Sequence, residues 1–184
     1  MEIINDVNGL FEFQDLGART ELKNKANLVQ SKNLFDMTSY LNFLNALATR
    51  SVVNGTLDNI DSSSFTFTTT GHDCYTNGWA ASSNAVFKIQ VQQNTTYTMS
   101  WDFSGSDGST FVFFNGVSGS GNMVQTKNSK MKLTFTTKED TAFITVRFGI
   151  ADGGTSATIG KIQVEEGTES TTYLQVWYQK ELMK

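Results

Sequence analysis

The 184-residue sequence has no proline, one cysteine and one histidine. Without proline, its turns must rest on Gly, Asn, Asp and Ser. The lone Cys74 excludes an internal disulfide, and no paired-cysteine or His/Cys spacing suits zinc. The fold must therefore rest on its core. Charged residues make up only 17%, with 14 Lys plus Arg against 18 Asp plus Glu and a net charge of −4. No basic cluster exists to displace counterions from phosphates, which argues against nucleic acid as a partner. No run approaches the roughly 20 apolar residues that a membrane helix needs, so no membrane insertion is expected. The start, Met1-Glu2-Ile3-Ile4-Asn5-Asp6-Val7, has neither a basic segment nor a continuous apolar one. A cleaved secretory leader is not expected, and the product should be soluble and made in the cytoplasm.

What is present favours strands. Apolar residues reach 39% and aromatics 12%, and Thr, Ser, Asn and Gly fill most of the rest, a mixture that suits pleated, half-buried surfaces. The chain changes character near residue 61. Before it, Leu22 to Leu28 and Tyr40 to Ala48 have helical spacing, with Thr38 or Ser39 as a cap and Leu41, Leu44 and Ala48 on one face. After it, apolar residues alternate: Phe65 and Phe67; Phe87, Ile89 and Val91; Tyr97, Met99, Trp101 and Phe103; Met131, Leu133 and Phe135; Ile144, Val146, Phe148 and Ile150; Ile162 and Val164. Turn residues separate the runs at Gln93-Asn94, Ser104 to Gly108, Ser118 to Asn122, Lys138 to Asp140 and Ala151 to Gly154. Seven to nine short strands, each with one polar face, predict an all-β, two-sheet antiparallel sandwich with a short, partly helical N-terminal extension. Phe111-Val112-Phe113-Phe114 is apolar on both faces. Such a strand is either covered on both sides or exposes an aromatic for contact.

Three further pieces, taken in order, are informative: Lys32-Asn33-Leu34-Phe35-Asp36, Asn94-Thr95-Thr96-Tyr97-Thr98-Met99-Ser100, and Ile162-Gln163-Val164-Glu165-Glu166-Gly167, closed by Thr171-Thr172-Tyr173. Over about three quarters of the chain their order and spacing resemble the carbohydrate-binding modules of families 4 and 9, in the form carried by tail and baseplate proteins of phages of Gram-positive bacteria. The resemblance implies a jelly-roll sandwich over residues 31–173 that binds glycans without cleaving them. It further implies docking on host cell-wall or surface polysaccharide, as one copy of a homo-oligomer among other tail or baseplate proteins of a virion. A structural calcium ion is implied by analogy, although no acidic calcium loop appears. Residues 1–30 have no counterpart in such modules, and their Ile3-Ile4, Val7, Leu10-Phe11 and Phe13 are expected to mediate anchoring or self-association. Residues 174–184 form a C-terminal extension.

Sugar sites pair flat aromatic rings with fixed polar groups. On that ground Trp79 and Tyr75 are expected to stack and Asn77, Asp102 and Arg147 to hydrogen-bond. Each has a plainer reading beside it. Asp102 and Arg147 on polar strand faces suit ordinary solvated or cross-strand pairs, and Asp152 suits a turn. Trp101 shares a face with Tyr97 and Met99 and reads as core. Trp177 fits an interface or a terminal strand. His72 beside Asp73 and Cys74 lacks a second ligand or a nucleophile partner. Glu165 and Glu166 point to opposite faces and cannot flank one glycosidic bond, so no catalytic pair is expected. The competing expectation is a structural tail or baseplate piece without sugar binding, marked by an apolar patch of Phe114, Trp177 and the N-terminal helix.

Overall fold

The alternating runs become strands because residues two apart share one side of a pleated chain, and their apolar sides close on each other. The computed structural model describes residues 4–5, 11–12, 33–46, 52–58, 61, 63–70, 74–76, 87–115, 121–151 and 154–173. The chain divides into two compact units, Asn33–Gln175 and a second made of Met1–Lys32 with Val176–Lys184. In the second, β1 (Ile4–Asn5) pairs antiparallel with β2 (Phe11–Glu12), Ile4 opposite Glu12.

The first unit is a sandwich of two antiparallel sheets. One runs β10 (Gly121–Thr126), β9 (Gly108–Phe114), β12 (Phe143–Ile150), β6 (Tyr75–Thr76), β3 (Val52–Val53), with β7 (Ile89–Gln90) also beside β12. The other runs β11 (Ser129–Thr136), β8 (Thr96–Gly105), β13 (Ser156–Glu166), β5 (Ser64–Thr69), β4 (Gly55–Asp58). Six and five strands exceed the seven to nine that alternation predicts. The excess comes from β3, β6 and β7, which are two residues each and too short to alternate.

Between the sheets lie Phe65, Phe67, Met99, Trp101, Val112, Ile144, Phe148, Ile159 and Val164, nearly all inaccessible to solvent. Trp101 meets Phe148 edge-on at 6.2 Å, the arrangement that ring quadrupoles favour. The expected core faces of β8, β11 and β12 are all found. Strand β13 holds a feature that alternation does not show. Ala157 and Ile159 face the core before it and Ile162 and Val164 after it, a change of parity made by a bulge between Gly160 and Gln163. One extra residue, Lys161, lets both halves keep their apolar side inward. Its φ of 48° is a left-handed conformation that costs a non-glycine residue about 1–2 kcal/mol. At the end of β8, Gly105 has φ 124°, and a Cβ there would run into the Ser156 carbonyl.

The helix α1 (Met37–Ala46) adds Met37, Tyr40, Leu41 and Leu44 to the same core. Its cap is Asp36, not Thr38 or Ser39: the Asp36 carboxylate accepts from the Ser39 amide at 3.1 Å and the Ser39 hydroxyl at 2.6 Å. The helix starts earlier than Leu41 and Leu44 alone suggest because Met37 and Tyr40 extend the buried face. Tyr40 lies 5.0 Å from Phe87 and 5.8 Å from Phe65, ring to ring. Burial pushes its phenol far above the usual tyrosine range, against a weak 3.4 Å bond to Thr76. The expected helix over Leu22 to Leu28, and Ala48, lie outside the described residues.

The three recognised sequence pieces meet. The Asn33 side chain accepts from the Val164 amide at 2.9 Å and donates to the Ile162 carbonyl at 3.3 Å. The Gly167 amide donates to the Thr96 carbonyl at 2.8 Å, and Glu165 holds Thr171 through its amide at 2.8 Å and its hydroxyl at 2.7 Å.

Candidate functional site

On β12 the core takes Ile144, Val146, Phe148 and Ile150, so Phe143, Thr145, Arg147 and Gly149 stand on the outer face of the six-stranded sheet. On β9 the core takes Val112 and Phe114, which leaves Ser109, Phe111 and Phe113 on that same outer face. The register places Arg147 opposite Phe111, Thr145 opposite Phe113 and Gly149 opposite Tyr75. These pairings gather a cluster: the Arg147 guanidinium lies 4.5 Å from the Tyr75 ring centroid, 5.7 Å from Phe111 and 5.6 Å from Phe113. Phe111 and Phe113 stack at 5.1 Å with planes 14° apart. A guanidinium over ring faces is drawn to their negative quadrupole, and the rings hold its plane in place.

Phe113 is buried, whereas Tyr75, Phe111 and Arg147 are partly open to solvent. Thr145 is fully buried on this face, and its hydroxyl has no hydrogen-bond partner among the described residues. The edge strand β10 extends the face with Met123, 53% exposed and opposite Phe111. Beside Ile89, the Lys88 ammonium stands 4.6 Å over the Phe143 ring. The arrangement offers flat apolar surface next to cationic donors. That combination stacks on the C–H side of a ring while binding its oxygens.

Of the five residues expected to form one site, the fold brings Tyr75 and Arg147 together. Trp79 and Asn77 lie outside the described residues, as do His72, Asp152 and Trp177. Asp102 does not join them: it stands on the outer face of the five-stranded sheet, opposite Lys130 and Gly160, with the sandwich between it and Arg147. Its carboxylate is 2.9 Å from the Lys161 ammonium, the cross-strand pair that its strand face suggests. Phe114 is corrected, since it is 7% exposed within the core and contributes to no apolar surface patch. Phe111, Phe113 and Thr145 were not singled out as site residues. The one signal for the two phenylalanines was the doubly apolar run at 111–114, which sends alternate rings to opposite faces; none pointed to Thr145.

Cys74 is buried in the core, and burial pushes its thiol up, against a hydrogen bond to Thr69. Among the described residues no three His, Cys, Asp or Glu side chains converge.

The sequence matches no protein-family profile and no curated protein sequence. Solved structures resemble the sandwich. A CBM4 module aligns with TM-score 0.42 and 14% identity over 61% of this chain and 78% of that one. A CBM6 module of Cellvibrio mixtus lichenase 5A, solved with cellotriose, aligns with TM-score 0.42 and 7% identity over 64% and 90%. The enzymatically active domain of tailspike protein 4 from bacteriophage CBA120 aligns with TM-score 0.41 and 9% identity over 63% of this chain and 17% of that one. At such identities the likeness is one of architecture and gives no residue-by-residue correspondence.

Proposed function

We propose that the sandwich is a non-catalytic carbohydrate-binding module that takes a saccharide on the outer face of its six-stranded sheet. The observation that carries this reading is Arg147 seated on Tyr75 beside the stacked Phe111 and Phe113. Tyr75 and Phe111 offer stacking surface, the guanidinium donates to sugar oxygens, and the rings fix its direction before any ligand arrives. Among the described residues no Asp or Glu stands on the strands of this face, whereas glycosidic cleavage takes two flanking carboxylates. A shallow site gains little beyond the entropic cost of association, so adhesion would depend on many copies.

The sequence resemblance supports a place in a phage tail or baseplate, with host cell-wall polysaccharide as ligand and residues 1–30 as the means of anchoring or self-association. Titration with polysaccharides extracted from Gram-positive cell walls, followed by calorimetry, tests the binding reading: saturable binding without new reducing ends is expected. Sustained release of reducing ends would overturn it in favour of a hydrolase. Deleting residues 1–30 and measuring mass in solution tests the anchoring reading, which predicts a smaller assembly that still folds and still binds glycan.

A further inference from the structure

The outer face of the five-stranded sheet carries cross-strand threonine pairs, and its described residues also line a hollow. A cavity of about 240 Å³ opens among Ser63, Ser64, Asp102, Ser104, Thr158 and Lys161. It lies at Gly160, which the register sets opposite both Ser64 and Asp102. A Cβ on Gly160 would stand 3.2 Å from the Ser64 Cβ, so a larger residue there would press on the Ser64 wall of the hollow.

Backbone strain gathers at the same spot. Among the described residues, the non-glycine positions with positive φ are Asn54, Asn94, Asn115 and Lys161. Asparagine tolerates this conformation; lysine gains nothing from it. The bulge nevertheless holds Lys161 there, its amide bonded to the Ser63 carbonyl at 2.9 Å and its ammonium to the Asp102 carboxylate at 2.9 Å. Asp61 fixes the opposite wall by accepting from the Ser63 and Ser64 amides at 2.6 and 2.7 Å and from both hydroxyls. Bulges that re-aim a side chain and strain held by surrounding bonds are concentrated at binding sites.

The chemistry of the hollow selects its occupant. The two charges cancel, which favours neither an anion nor a cation. Both side chains remain about half exposed, at 57% and 44%, and each keeps hydrogen-bonding capacity: a carboxylate has several lone pairs and an ammonium three donors. Neighbouring hydroxyls of one ligand can donate to Asp102 and accept from Lys161 without separating the pair. The hollow is open to solvent on one side, and its volume of about 240 Å³ leaves room for one small ring. We infer that this hollow is a second ligand site, separate from the aromatic face, that takes a single neutral sugar unit through Asp102 and Lys161.

The test is an amide-shift titration of the ¹⁵N-labelled full chain with methyl glucoside, methyl galactoside and N-acetylglucosamine. Saturable shifts at Ser63, Ser64, Gly160 and Lys161 are expected with at least one of them. Binding there should weaken tenfold or more in Asp102→Asn and in Lys161→Gly, the latter a change that the positive φ favours and that leaves the fold intact. In Arg147→Ala these shifts should persist, which separates this site from the aromatic face. Absence of saturable shifts with all three sugars overturns the inference. So do shifts that are unchanged in both pocket variants, or that vanish in Arg147→Ala.

Discussion

On the outer face of the six-stranded sheet, Arg147 lies on Tyr75, Phe111 and Phe113; on that of the five-stranded sheet, threonines face threonines. There Thr66 and Thr158 share a hydrogen bond of 2.7 Å, Thr96 and Thr136 one of 3.1 Å, and Thr98 and Thr134 one of 3.2 Å. The threonines of this face pair with one another across neighbouring strands, while the buried Ser100 hydroxyl and Gln163 side-chain oxygen have no hydrogen-bond partner among the described residues. Thr98 adds a bond to the Gly167 carbonyl at 2.8 Å, and Lys132 pairs with Glu169 at 2.8 Å, so the segment after β13 is tied down over part of that face. The aromatic face instead presents rings with a cation seated against them. One core supports both, which shows that sandwich stability places no demand on the outer chemistry. Function is written on the side that the core does not use.

Four changes sharpen or break this comparison. Trp101→Ala strikes the shared core and should cost about 3–5 kcal/mol of stability in denaturant unfolding; an unchanged midpoint would reverse the face assignment for β8. Arg147→Ala should weaken saccharide binding by tenfold or more, about 1.4 kcal/mol, with little change in melting temperature. Affinity equal to that of the parent chain would remove the aromatic face from the binding reading. Asp61→Ala tests the wall of the hollow through pH. Hydrogen bonds from Ser63 and Ser64 hold the Asp61 carboxyl below its ordinary value. Its stabilising effect is therefore complete above the unfolded carboxylate range, near pH 4, and is lost as pH falls through the lower folded value. The gap between parent and variant melting curves should be widest near neutrality and close in acid; a gap that does not vary with pH would refute this role. Lys132→Ala removes an exposed ion pair, and a loss of no more than about 0.5 kcal/mol is expected. A larger one would mean that Glu169 and its segment contribute to stability beyond the pair.

Much of the architecture was legible because burial acts on the side-chain period itself. Tyr97, Met99, Trp101 and Phe103 face one way in any β-strand, and only one side of such a row tolerates water. The bulge at Lys161 was hidden for the same reason: the alternation around Ile159 and Ile162 is broken by one residue, which reads as an interruption until the register shows both halves facing inward. The helix cap was missed by two or three residues because the buried face begins at Met37, and Tyr40 gains its apolar role from rings at Phe35, Phe65 and Phe87. Those partners are distant in the chain or outside the helical pattern.

The sequence by itself determined the two-sheet sandwich, the core rows and the absence of a disulfide framework, since composition and period two act locally at every residue. Which side chains meet on an outer face was decided only by the tertiary structure. Tyr75, Phe111 and Arg147 come from three separate strands, and their encounter depends on β12 lying between β9 and β6. Asp102, as polar and as regularly placed as Arg147, went to the opposite sheet by the same pairing rules. Strand order is settled by how all the apolar faces pack together, so no local signal carries it.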